Sequence, residues 1–193
     1  MPRWFHWGAG VIVVLSGAAS ALFVIMVNGW MNTPTGFTFD PATGVFSDID
    51  PVAAMFNPAW KAQALHMLVA AYQATAFGAA GIHAVQLLRQ PASALHREAL
   101  KIAMCVAIVS AIVQPIAGDY AATVVARTQP VKLAAMEGQF ETTANAPLRI
   151  GGWPDVERRT TDYAIELPGM LSWLAYRDVN ATVQGLNDVP RDE

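Results

Sequence analysis

Apolar positions along the chain gather into three long runs, and polar positions gather between and after them. The runs cover residues 8–27 (GAGVIVVLSGAASALFVIMV), 62–88 and 99–117 (ALKIAMCVAIVSAIVQPIA). A membrane-spanning helix needs about 20 consecutive apolar residues, so each run predicts one span. The first is too long for the apolar part of a secretory signal and no small-residue cleavage site follows it cleanly. From residue 118 onward the pattern is polar and punctuated by Pro130, Pro147, Pro154, Pro168 and Pro190. This part predicts an external region of short helices and loops. The piece LPGMLSWLAY within it is too short to span, and either lies on the surface or packs on its neighbours.

The expected fold is therefore all-α: a helical membrane bundle with about three spans in residues 1–117 and an external region in residues 118–193. Composition agrees, since 54% of the 193 residues are hydrophobic and only 14% are charged, against about a quarter in soluble domains. The net charge of -3 says little about partners, and no basic run is long enough to suggest nucleic acid. The single cysteine, Cys105, cannot form an internal disulfide and reads as a small buried hydrophobe.

Charge between the spans sets the orientation. Residues 88–101 carry Arg89, Arg97, Lys101 and His96 against Glu98, whereas residues 31–60 carry Asp40, Asp48 and Asp50 and no Lys or Arg. Positive charge marks the cytoplasmic side. The 88–101 connection is then inside with Arg3, and residues 31–60 and 118–193 are outside. Trp4, Trp7, Trp30 and Trp60 fall at the predicted interfaces, as an aromatic belt does. The first span repeats small residues four apart, Ser16 with Ser20 and Gly17 with Ala21. These fit either close helix packing in lipid or ordinary membrane-helix composition.

Two groups carry candidate chemistry. His66 lies six residues inside the second span, roughly 9 Å below Trp60 at the helical rise. A neutral imidazole there leaves two polar nitrogens to satisfy. It is either hydrogen-bonded to a neighbouring helix or a ligand, and a lone histidine suits haem better than zinc, which takes three or four protein ligands. His83 lies 17 positions on, about 100° around the helix, and reads as interfacial with His6 and His96. The second group is Gln129, Lys132 and Glu137, just past the third span. An amide, an ammonium and a carboxylate can bind a quinol head and take its proton. They can equally be the polar face of a solvated helix. Lys132 and Glu137 are five apart, about 140° around a helix, so either the helix breaks or a ligand sits between them.

Three blocks resemble subunit I of the cytochrome bd quinol oxidases: SGAASALFVIMVNGWMNTPTGF (residues 16–37), NPAWKAQALHM (57–67), and GD followed by QPVKLAAMEGQFETT (118–143). The last is the most specific. The resemblance implies that His66 is an axial ligand of low-spin haem b. It implies that Lys132 and Glu137 contact quinol and act in its oxidation, with Gln129 nearby. Ser20 and Asn28 match polar positions facing the other haems and a proton route. It further implies a respiratory enzyme of the bacterial cytoplasmic membrane that oxidises membrane quinol and reduces oxygen to water, with a second subunit as partner. Family members have about nine spans. This chain matches the middle of the subunit, without the helices that hold the oxygen-reactive haem, the further b and d haems and the second ligand of haem b. It is therefore expected to be part of a longer or split subunit. The alternative is a non-catalytic three-helix membrane protein without haem.

Overall fold

The computed structural model describes residues 2–190. Met1 and the last three residues of the expected external region, 191–193, lie outside the described residues. The chain divides into two compact units, Met1–Gly118 and Asp119–Glu193.

The first unit begins with α1 (Arg3–Asn32), followed by a hairpin of β1 (Thr38–Asp40) and β2 (Val45–Ser47). A short helix α2 (Pro51–Met55), the long α3 (Trp60–Arg89) and the start of α4 (Ala94–Thr128) complete it. The three long helices have 30, 30 and 35 residues and are apolar enough to cross a membrane. Each extends past the apolar run that predicted it. Neighbouring Ala, Leu, Arg and Glu are good helix formers and carry the helix into polar surroundings. α4 continues to Thr128 because nothing breaks it until Pro130, and it runs through Pro115, whose missing N–H deletes one helical hydrogen bond.

α2 starts where Asp50 accepts hydrogen bonds from the backbone N–H of Val52 (2.9 Å) and Ala53 (3.1 Å), with Pro51 in the first turn. α1 and α3 meet at a buried polar joint. Asn57, 2% exposed, donates to the carbonyls of Met26 (3.0 Å) and Ala54 (3.2 Å) and accepts from the N–H of Ala59 (3.2 Å). Gly29 makes room for it, since a Cβ there would sit 2.7 Å from Asn57 Oδ1. At the other end of α3, His83 Nδ1 and His96 Nδ1 are 2.9 Å apart, joining α3 to the start of α4. Cys105 is exposed on α4 rather than buried.

In the second unit α5 (Pro130–Met136), α6 (Met170–Tyr176) and six short strands surround a small core of Ala126, Leu133, Ala146, Leu171, Ala175 and Val183. The LPGMLSWLAY piece thus packs through α6 instead of lying on the surface. The strands pair as β3 (Thr143–Ala144) with β8 (Thr182–Val183), β4 (Leu148–Ile150) with β7 (Ile165–Leu167), and β5 (Trp153–Asp155) with β6 (Thr160–Asp162), all antiparallel. The all-α expectation is therefore corrected: the long helices dominate, but both units carry strands. Gly151 (φ 70°), Gly152 (φ 104°), Arg159 (φ 55°) and Tyr163 (φ 60°) adopt left-handed backbone. Such residues reverse the chain and do not extend a helix.

Candidate functional site

His66 sits on the second turn of α3, half-buried against α4. Gln114 of α4 reaches it: the amide nitrogen is 3.2 Å from Nδ1 and 3.4 Å from Nε2. One helical turn further on, Gly118 lies beside the ring. A Cβ there would meet His66 Cε1 at 3.5 Å and Nδ1 at 3.6 Å, ordinary contact distances, so the glycine leaves a space about one methyl wide at the imidazole. The carboxamide oxygen of Gln114 is buried with no partner among the described residues. His66 thus has its helix-to-helix hydrogen bond, which the amide can give to only one ring nitrogen, so the other is left for another partner.

Gln129, Lys132 and Glu137 belong to α5 and its two caps. Gln129 is the residue before the helix. Its backbone N–H still bonds to Val125 O (2.7 Å), while its side-chain nitrogen is buried and unpartnered among the described residues. Pro130 then supplies the first turn, where its missing N–H costs nothing. Leu133 and Ala134 face the core, and Lys132 is exposed. The helix ends at Glu137, whose N–H caps Leu133 O at 3.0 Å. α5 therefore runs unbroken from Lys132 to Met136 and ends at Glu137.

Glu137 is half-buried. Burial pushes its carboxyl above the ordinary glutamate value, and the positive charge of Arg149 opposes part of that rise. Arg149 is itself anchored on β4. It donates to Gln139 Oε1 (2.5 Å) and pairs with Glu166 on β7 (2.9 Å). Gly138, at φ 58°, turns the chain after Glu137, and its carbonyl accepts from Thr161 Oγ1 (2.8 Å). The adjoining cleft, about 310 Å³, is lined among others by Gln139, Arg149, Arg159, Thr160 and Thr161, and not by Lys132 or Glu137.

Ser20 and Asn28 have exposed side chains on α1. Asn28 uses its backbone carbonyl to accept from Asn32 Nδ2 (2.8 Å). Sequence reasoning missed Gln114, Asn57 and Arg149. Gln114 had a signal: it is an amide deep in the apolar run 99–117. Asn57 stood in a quoted block with no role, and Arg149 lies twelve residues from the glutamate whose charge it influences.

Long apolar helices, a histidine held between two of them, and a polar region rich in turns define a multi-span helical membrane protein. The whole chain, residues 1–193, matches the family described as cytochrome bd terminal oxidase subunit I, and it belongs to that family. It is 36% identical over 185 residues to a putative cytochrome bd menaquinol oxidase subunit I of Bacillus subtilis, covering 94% of this chain and 41% of that protein. It is 32% identical over 179 residues to the cytochrome bd-II ubiquinol oxidase subunit 1 of Escherichia coli, covering 92% and 35%. Among solved structures, the bd oxidase of Geobacillus thermodenitrificans superposes with a TM-score of 0.86 at 39% identity, over all of this chain and 44% of that one. The chain spans less than half the length of these relatives.

Proposed function

We propose that this chain forms the middle of a subunit that oxidises membrane quinol in a respiratory terminal oxidase of a bacterial cytoplasmic membrane. Further spans of subunit I and a second subunit would complete it. The observation that carries the reading is Glu137: a half-buried carboxyl with a raised proton affinity, at the end of a short helix that also bears Lys132 and begins just after Gln129.

Oxidising a quinol to a quinone removes two electrons and two protons. The electrons leave readily only as the hydroxyl protons leave. Glu137, as carboxylate, accepts one of these protons. Its raised affinity makes it a better base than a free glutamate. The Lys132 ammonium steadies negative charge developing on a quinol oxygen, and the Gln129 amide nitrogen is a donor for the other oxygen. On the orientation read from Lys and Arg, protons released here leave on the outer side.

His66 supplies one imidazole at helix depth. Among the described residues no group of three or more His, Cys, Asp or Glu gathers to hold a bare metal ion. A lone imidazole suits a haem, which needs only one or two protein ligands, better than a bare ion that takes three or four. A low-spin haem b held by His66 would supply one-electron acceptance from the quinol. Oxygen reduction to water and the further b and d haems would belong to the complete oxidase. Ser20 and Asn28, exposed on α1, are available to face those additional helices and a proton route.

The test is a reduced-minus-oxidised absorption spectrum of membranes containing a complete oxidase that carries this segment, in a host without its own bd oxidase, alongside His66→Ala. A low-spin haem b signal that disappears in the variant is expected. A signal that survives it would remove His66 as the ligand. In a complete oxidase carrying this segment, Glu137→Gln lowers the rate of quinol oxidation by roughly 100-fold or more. An unchanged rate would remove Glu137 from the chemistry.

A further inference from the structure

Gln114 is a polar side chain that the apolar run of α4 does not explain, and its carboxamide is caught in an incomplete arrangement. Its nitrogen is 3.2 Å from His66 Nδ1 and 3.4 Å from Nε2, while its oxygen is buried without a partner among the described residues. A neutral imidazole has one N–H donor and one bare nitrogen. An amide N–H only donates, so the ring nitrogen it serves is the bare one. Where the amide donates to Nδ1, the nearer of the two, the ring proton is left on Nε2.

That tautomer cannot offer Nε2 to iron. A histidine that ligates through Nε2 carries its proton on Nδ1, and that N–H needs an acceptor to hold the ring in place. The orphaned oxygen of Gln114 is such an acceptor. A half-turn of the carboxamide exchanges its two ends and puts the oxygen where the nitrogen now lies. With no iron bound, each orientation makes one hydrogen bond to the ring. With iron on Nε2, only the oxygen-facing orientation makes one. Gly118, one turn along the same face of α4, leaves the ring room to adjust.

Resting on the reading of His66 as a haem ligand, we propose that Gln114 is its positioning residue: the carboxamide turns to accept from His66 Nδ1–H and fixes the tautomer that presents Nε2 to iron. Such acceptors raise ligand basicity, and losing one costs about 10- to 100-fold in affinity.

Two readouts test this. The first needs no haem: ring nitrogen NMR shifts of histidine-labelled chain in lipid bilayers, for wild type, Gln114→Leu and Gln114→Glu. Glutamate offers an acceptor in either protonation state, so it is expected to raise the Nδ1-protonated population of His66 several-fold. Leucine is expected to abolish the hydrogen-bond shift. Identical spectra in all three would overturn the inference. The second is a titration with haem b followed by redox potentiometry. Gln114→Leu is expected to bind roughly 10-fold more weakly or worse, with a higher midpoint potential, because a less basic imidazole favours ferric iron less. Gln114→Glu is expected to retain haem with a lower midpoint. Wild-type affinity and midpoint in Gln114→Leu, with binding lost in His66→Ala, would overturn the role of Gln114 and leave His66 standing. Binding that survives His66→Ala would overturn the ligand reading, while the NMR arm would still judge the hydrogen bond. Matching elution of each variant and wild type in mild detergent guards against simple misfolding.

Discussion

Glu137 is pulled in two directions, and the balance can be measured. Burial favours its neutral form more than Arg149 favours its charged form, so its folded-state affinity for protons exceeds the unfolded one. In the window between the ordinary glutamate value, about 4.3, and the raised folded value, the folded chain binds more protons than the unfolded one. Stability contributed by this group is full below that window and is lost as pH rises through it. Glu137→Gln stays neutral, so it is expected to flatten this part of the stability-versus-pH curve. Arg149→Leu removes the opposing charge and is expected to raise the carboxyl further, widening the window upward. Thermal unfolding in detergent from about pH 4 to 8 checks both. A wild-type curve that rises across the window would contradict the assigned cause.

At the scale of elements, the joint between α1 and α3 makes the sharpest claim. Asn57 bonds to both sides of it, and Gly29 leaves it no spare room. Asn57→Ala strands buried backbone groups and is expected to cost about 1–3 kcal/mol. Gly29→Ala pushes against Asn57 Oδ1 and is expected to cost a similar amount. The two residues share one contact, so the double variant should lose less than the sum, because truncating Asn57 removes the clash. Strict additivity in thermal unfolding would mean that they do not meet. This joint also shows what was legible in advance. The spans were, because an apolar run of membrane length has few other meanings. Their ends were not, because helix formers such as Ala94 and Leu95 continue a helix beyond its apolar part. The strands of the second unit were illegible for a different reason. Two- and three-residue ladders such as Thr143–Ala144 and Thr160–Asp162 are too short to show alternation. Their turns use Arg159 and Tyr163 at positive φ, where a sequence reading looks for glycine or asparagine. His66 and the Gln129–Glu137 segment were visible as polar residues in apolar surroundings and as family motifs. Gln114 was visible in the same way, but its role and that of Arg149 were not, because they depend on partners 48 and 12 residues away that only the folded chain brings close.

For the whole molecule, the deciding fact is how little of the long helices the chain covers itself. Only 11% of the most apolar window of each is buried. Residues such as Ile12, Val13, Leu15, Ile102 and Ile116 are more than 60% exposed. Water would not tolerate three such faces, so lipid or further helices must meet them. The distribution of Arg and Lys then says which ends point where. Single cysteines placed at Thr43 and at Ser93, in a Cys105→Ser background, are expected to differ in intact bacterial cells. A maleimide that cannot cross the cytoplasmic membrane should label position 43 within the aspartate-bearing connection, and should label position 93 only after the cells are opened. Labelling of both in intact cells would mean that the helices do not all cross. The reverse pattern would mean that the orientation is inverted. His66 would then lie toward the inner face, and the proposal that quinol protons leave on the outer side would lose the charge argument on which it rests.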